Sequence, residues 1–363
     1  MGVPFRILGV DHLAFTVGNA KQAAHYYRTL YGFRVDAYSG LETGERETTS
    51  YVMRQDRVRF VLTSPIVPGS SLNERLRRHG DAVQDIAYQV DDARAAFDHT
   101  VGRGAAPVRE PSLLRDDHGE ALVATIRTYG NTLHSFVERR RYDGPFLPGF
   151  TAVDDGPQAS PVGLGYVDHV VGNQGDGEME PVVKWYERIF DFHVMWTVDN
   201  KDIFTKFSAL RSTVVASDDE VIRMPINEPA PGLRKSQIQE YVDYNDGPGV
   251  QHIAMSTQDI IATVRKLRAN GVEFLSVPPS YYDDLAERAG KIDEPVRDLA
   301  ELGILVDRDQ NGYLLQLFTK PVEDRPTLFL EVIQRKGARS FGVGNFKALF
   351  EAVEREQAKR GNL

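Results

Sequence analysis

Short runs of alternating apolar and polar residues recur along the chain, and four of them lead into stretches with helical spacing. Alternation puts every second side chain on one face of a strand, whereas apolar residues three and four apart mark one face of a helix. Residues 9–15 lead into a helical stretch over 24–33, and residues 165–171 lead into another over 183–192. Both strands carry Asp-His, both helices stop at an aromatic residue, and His12 and His169 stand 157 residues apart. A second pair is residues 83–88, before a helix opening near Asp91-Asp92, and residues 250–255, before one opening near Gln258-Asp259. An aspartate at such a place caps a helix. Each of these helices ends near a glycine, Gly104 or Gly271, and continues into an extended run, 105–108 or 272–275.

The chain therefore reads as four strand–helix–strands units in two tandem pairs. Further alternating strands are predicted over 58–62, 122–126, 313–318 and 328–333. The class is α+β, with mostly antiparallel sheets and helices outside. Residues 154–161 are polar and rich in Gly and Pro, a linker that divides the chain into domains 1–153 and 154–363. The end, 345–360, is predicted as an amphipathic helix with a stripe of Phe346, Leu349, Phe350 and Val353, capped by Asn345.

Composition narrows the function classes. Lys and Arg number 43 against 52 Asp and Glu, a net charge of −9, which disfavours nucleic acid and anionic membrane as partners. No apolar stretch approaches the ~18 residues of a membrane span. The opening residues lead into an alternating run instead of a signal core, so a cytoplasmic setting is expected. Cysteine is absent, which excludes disulfides, thiolate catalysis, zinc ribbons and iron–sulfur clusters. Any metal must be held by imidazole and carboxylate, and there are nine histidines to search.

Three of these candidate ligands stand on predicted strands of the second half: His169, His252 and Glu331. If each sheet curls around a cavity, all three point inward. Two imidazoles and one carboxylate suit Fe(II) in oxygen chemistry, with manganese second. The plain alternative is that each is a satisfied core residue. The first half offers His12, Asp85 and Glu138 as counterparts, so it reads as a weak or retired site. The other six histidines (25, 79, 99, 118, 134 and 193) read as structural or solvated. Gln316 and Phe318 share a strand face, and Asn227 sits in a Pro-rich bend, 225–229, with Ser212 and Gln237 to either side. Residues 341–346 form a Gly-rich approach to the last helix. These residues describe an aromatic pocket with amide donors, or else plain core beside a hinge.

The motifs Val167-Asp168-His169, Pro225-Ile226-Asn227-Glu228-Pro229, Lys235-Ser236-Gln237-Ile238, Val250-Gln251-His252-Ile253-Ala254, residues 314–321, residues 324–331 and Gly344-Asn345-Phe346 together carry a resemblance. The paired units resemble the vicinal oxygen chelate, or glyoxalase-like, superfamily. The second half more narrowly resembles the 4-hydroxyphenylpyruvate dioxygenase family. The resemblance implies tandem βαβββ modules forming two open barrels, with the terminal helix over the second and no active metal site in the first. It implies one Fe(II) per subunit on His169, His252 and Glu331. Phe318 and Phe346 would hold the substrate ring, and Ser212, Asn227, Gln237 and Gln316 would form the polar shell. Phe329, Phe341, Asn345 and Pro225 would complete the wall. Gln251 matches as well, but alternation turns it away from the face of His252. The implied reaction converts 4-hydroxyphenylpyruvate and O₂ to homogentisate and CO₂, by oxidative decarboxylation, ring hydroxylation and side-chain migration, in tyrosine and phenylalanine breakdown. A homo-oligomer, dimer or tetramer, would go with it. The rival readings are 4-hydroxymandelate synthase, an extradiol catechol dioxygenase and a ligand-sequestering protein.

Overall fold

The computed structural model describes residues 3–156, 160–198 and 209–362, without the side chains of Val198, Val343, Phe346 and Lys347. Its strands are β1 (Ile7–Thr16), β2 (Arg34–Ser39), β3 (Thr48–Gln55), β4 (Val58–Pro65), β5 (Ala82–Val90), β6 (Ala106–Asp116), β7 (Gly119–Arg127), β8 (Leu133–Tyr142) and β9 (Thr151–Ala152) in one sheet. A second sheet holds β10 (Leu164–Asn173), β11 (His193–Val198), β12 (Ala209–Ala216), β13 (Arg223–Ala230), β14 (Gly249–Thr257), β15 (Leu305–Asp309), β16 (Gly312–Phe318) and β17 (Phe329–Lys336). The orders are β6-β7-β8-β5-β1-β4-β3-β2-β9 and β15-β16-β17-β14-β10-β13-β12-β11. Apart from the short β9, the second order repeats the first strand for strand. The four expected βαβββ units are therefore present, and each pair of units forms one curled sheet.

Each unit starts with an inner strand, crosses through a helix and returns by antiparallel hairpins. Its last strand then closes beside its first in parallel, as in β1–β4, β5–β8, β10–β13 and β14–β17. The crossover helices begin where capping chemistry places them. Asn19, Asp92 and Asp259 accept from the backbone N–H of Gln22, Ala95 and Ala262 at 3.1, 2.8 and 2.9 Å. The first of these helices, Ala20–Tyr31, stops at Gly32 with φ 68°. A Cβ there would meet the Ser160 carbonyl at 2.8 Å, so the turn requires glycine on both counts.

Three local expectations change. Residues 272–275 form only an isolated bridge, Phe274 to Thr319, because Pro278 and Pro279 follow and the chain turns into short helices before β15. Residues 225–229 are not a bend but the body of β13, paired along its length with β12. Prolines are tolerated there because the other ladder, to β10, is short: Gly172 to Ile226 and Asn173 to Asn227. The last helix, Val343–Lys359, is capped by Gly342, not by Asn345, which lies inside its first turn. The linker stretch is anchored at its start: Asp155 accepts from Arg28 Nε at 2.9 Å. Its residues 157–159 lie outside the described set.

The halves share one apolar core. Helix Met179–Phe190 of the second half lays Trp185, Tyr186 and Phe190 against His134 on β8 of the first. His134 is fully buried; its Nδ1 donates to the Ile86 carbonyl (2.9 Å) and its Nε2 accepts from the Tyr186 hydroxyl (2.7 Å). Burial pushes its pKa down from 6.5 to about 4, so the folded chain takes up this proton later than the unfolded chain does. The contribution is fully present above the unfolded value and is lost as pH falls through the window between the two. Wild type should lose on the order of 2 kcal/mol more stability than His134→Gln between about pH 7.5 and about pH 5. Urea unfolding at both pH values checks this; parallel losses in the two proteins would remove His134 as the source.

Candidate metal centre

Three adjacent strands of the second sheet supply the centre. On β10, His169 pairs with Ala254 of β14, and Ala254 pairs in turn with Glu331 of β17. His252 stands two residues before Ala254, on the same face. The methyl of Ala254 thus lies between the two imidazoles and the carboxylate and leaves space where they converge. All three ligands are buried, with ligand atoms within 4.8 Å of one another. His169 Nε2 and His252 Nε2 lie 3.2 and 3.3 Å from the same Glu331 oxygen, Oε2.

Each imidazole is oriented through its other nitrogen. His169 Nδ1 donates to Asp168 Oδ1 at 2.8 Å, and His252 Nδ1 donates to Gln251 Oε1 at 2.9 Å. Both orienting residues directly precede the histidine they hold, and alternation would point them away. Irregular pairing resolves this. Val167 pairs with Met255 and His169 with Ala254, leaving Asp168 as the extra residue of a bulge; Val171 pairs with His252 and Gly172 with Val250, leaving Gln251 as another. A bulge re-aims one side chain. Gln251, expected to turn away from His252, instead reaches its ring and borders the cavity.

With both Nδ1–H groups committed, the two Nε2 atoms converge with a carboxylate oxygen. Such a group needs a proton or a metal ion between its members, and the donor set fits a transition metal. Burial pushes His169 down, but the facing Glu331 carboxylate outweighs it and holds the ring above its usual range; the protonated ring in turn holds Glu331, which burial would raise, below its own, and a metal would displace that proton. Burial keeps His252 below the usual imidazole range, the lone-pair-bearing form that a metal takes.

The cavity in front of the ligands is bordered by Ser212, Pro225, Asn227, Gln237, Gln251, Phe318, Phe329 and Phe341 among the expected residues. Phe329 stacks on His252 at 4.8 Å, and Phe341 meets His169 edge to face at 5.1 Å. Trp196, Leu210, Val214, Leu349 and Phe350 also border it, and the sequence reading did not single them out for this role. Trp196 follows the end of a helical pattern by a few residues, which gives no sign of its direction. Gln316 and Asn345 do not border this cavity. Gln316 is packed under Gly342, where a Cβ would come within 2.5 Å of its Oε1, and Asn345 Oδ1 accepts from the Tyr281 hydroxyl at 2.5 Å. Both ends of the Gln316 amide and the Asn345 Nδ2 are buried without a hydrogen-bond partner. The Phe346 side chain lies outside the described residues.

The first half keeps the frame and not the ligands. Asp11 is again the extra residue of a bulge, and its Oδ1 accepts from His12 Nδ1 at 2.7 Å. Asp85 occupies the place of His252. The counterpart of Glu331 is Ser135, not Glu138: Asp85 pairs with Leu133 and Tyr88 with Phe136, which sets Ser135 beside Ala87. Ser135 donates through its hydroxyl and its N–H to Asp85, while Glu138 accepts from the Ala93 N–H at 3.1 Å and caps a helix. Phe146, Leu147 and Phe150 pack against Ala14, Ala37, Val52 and Val61, the small residues of that sheet's inner face. Among the described residues, His169, His252 and Glu331 form the one group of three His, Asp or Glu ligands so close together. Of the six other histidines, His79 and His134 are buried and hydrogen-bonded, and His118 and His193 are exposed.

The sequence matches the Glyoxalase/Bleomycin resistance protein/Dioxygenase superfamily over residues 9–128 and 166–317. A 4-hydroxyphenylpyruvate dioxygenase of Yarrowia lipolytica is 51% identical over 370 residues, covering 98% of this chain and 93% of that one. One of Dictyostelium discoideum is 51% identical over 365 residues, covering 98% and 100%. Among solved structures, a mutant 4-hydroxymandelate synthase from Streptomyces coelicolor superposes with a TM-score of 0.86 at 33% identity, covering 97% of this chain and 99% of that one. His252→Ala should leave the fold unchanged by circular dichroism and reduce uptake of a divalent transition metal to about a tenth or less of wild type. Metal retained at full stoichiometry in that variant would remove His252 from the centre.

Proposed function

The chain belongs to the 4-hydroxyphenylpyruvate dioxygenases of the Glyoxalase/Bleomycin resistance protein/Dioxygenase superfamily, and from this premise we propose that it converts 4-hydroxyphenylpyruvate and O₂ to homogentisate and CO₂ with Fe(II) held by His169, His252 and Glu331. The observation that carries the reading is the convergence of two Nε2 atoms on one carboxylate oxygen at the floor of an aromatic cavity. His169, His252 and Glu331 would hold the iron, which when bound would supply oxygen chemistry toward an α-keto acid. We assign 1–153 as a domain without a metal site and 154–363 as the catalytic domain.

The protein's own residues bind, orient and exclude water. Phe318, Phe329 and Phe341 offer the faces and edges that a substrate ring packs against. Ser212, Asn227 and Gln237 offer neutral hydrogen bonds to its polar ends, and Asn227 is itself held by Asn173 at 3.2 Å. Ser236 caps the helix Gln237–Asn245 by accepting from the Ile238 N–H at 3.2 Å, which fixes the backbone from which Gln237 projects. The apolar wall of Trp196, Leu210 and Phe350 disfavours water near the reacting atoms.

A second reading, 4-hydroxymandelate synthase, shares the fold. The bulk of Phe329 against His252 and the higher identity to the dioxygenases favour attack on the ring. Incubation with 4-hydroxyphenylpyruvate, Fe(II) and O₂ should yield homogentisate by chromatography, with one CO₂ per turnover. 4-Hydroxymandelate as the product would overturn the assignment. Asn227→Ala should raise KM about tenfold, the loss of roughly 1.4 kcal/mol for one buried hydrogen bond.

A further inference from the structure

The two imidazole ligands are oriented by partners of unlike charge. His169 donates to a carboxylate, Asp168, and His252 to a neutral amide, Gln251. Asp168 is buried, and Arg335 grips both of its oxygens, Nε to Oδ2 and Nη2 to Oδ1, each at 2.8 Å. Arg223 approaches the same carboxylate at 3.8 Å. Arg335 also donates to the carbonyls of Ala338 (3.2 Å) and Ser340 (2.6 Å), and its guanidinium lies 5.3 Å over the Phe341 ring. Phe341 in turn touches His169 and borders the cavity. Arg335 stands four residues after Glu331 on β17, so one strand carries a ligand and the group that steers another ligand.

A carboxylate on Nδ1–H both fixes the tautomer and raises the donor strength of Nε2, whereas an amide fixes the tautomer alone. We propose that Asp168 and Arg335 are positioning residues that make His169 the stronger imidazole ligand and couple its orientation to the Phe341 wall of the cavity. The inference rests on the reading of His169, His252 and Glu331 as the metal site.

The first half supplies an internal control. Asp11 holds His12, Arg139 donates to both Asp11 oxygens (2.8 and 2.7 Å), Arg59 approaches at 3.7 Å, and Phe146 meets the His12 ring edge to face at 5.0 Å. The arrangement is the same, with Asp85 and Ser135 in the places of His252 and Glu331. Its role there is structural, so a role toward metal must show as a difference between the halves.

The probe is Co(II), titrated into chelator-treated protein and read by its visible absorption. Asp168→Asn should weaken Co(II) binding about 10–100-fold and shift the spectrum, whereas Asp11→Asn should leave both as in wild type. Gln251→Glu, which gives His252 the carboxylate that His169 already has, should tighten Co(II) binding; it decides the matter even where Asp168→Asn folds poorly. Arg335→Lys keeps the charge and loses the fork, and should weaken Co(II) binding and raise KM together. Unchanged Co(II) binding in both Asp168→Asn and Gln251→Glu would overturn the proposal, and so would an equal loss in Asp11→Asn and Asp168→Asn. Co(II) binding that survives His252→Ala would instead overturn the metal site itself.

Discussion

The register between β10, β14 and β17 is the constraint on which the rest depends. His169, Ala254 and Glu331 form a row across three strands, and His252 joins it from two residues along β14. A slip of one residue would replace the ligands by their neighbours Ile253 and Leu330 and turn the ligands into the core behind the sheet. That slip is strongly opposed. β14 is buried on both faces, and Ile253, Met255 and Leu330 already fill the core. The hydrophobic effect thus fixes a register whose chemical consequence is a group of side chains that could hold a metal ion.

Duplication explains why such a centre costs so little new structure. Both halves have the same strand order, bulges at equivalent places and the same aspartate–histidine–arginine contacts. Breaking a buried ion pair by removing one partner costs about 3–5 kcal/mol. Asp11 with Arg139 therefore has reason to persist in a half whose inner face is filled by Phe146, Leu147 and Phe150. In the other half the same frame presents an imidazole to a cavity, with His252 and Glu331 beside it. In the first half Asp85 and Ser135 stand at these two positions and satisfy each other.

Alternation and repetition made the units, the strand order of ligands and most of the cavity wall legible in the sequence. What stayed hidden follows from local irregularity. Alternation says nothing about bulges, so Asp168 had no visible role and Gln251 pointed the wrong way. Prolines read as a bend at 225–229, because sequence does not reveal that β13 needs few hydrogen bonds on one side. Asn345 read as a cap, because its preference for that place is strong, yet Gly342 takes the left-handed turn and the Tyr281 hydroxyl claims the amide oxygen. Glu138 matched Glu331 by its strand and charge, whereas pairing distances count from Asp85 and lead to Ser135.

The charges around the site complete the argument. Asp168 is balanced by Arg335 and Arg223, and among the described residues that border the cavity Glu331 is the one carboxylate. No lysine or arginine is among the described residues that border the cavity. An α-keto acid brings a negative charge into this enclosure, where burying an unpaired carboxylate is prohibitive. Ser212, Asn227 and Gln237 can orient such a group but not neutralise it. On the proposed reading, a cation held by His169, His252 and Glu331 would supply the positive charge that the substrate needs, which would tie the binding of substrate to the presence of metal. Among the described residues no other cation faces the cavity to draw the carboxylate elsewhere, so the same electrostatic condition would both select the ligand and direct its reactive end.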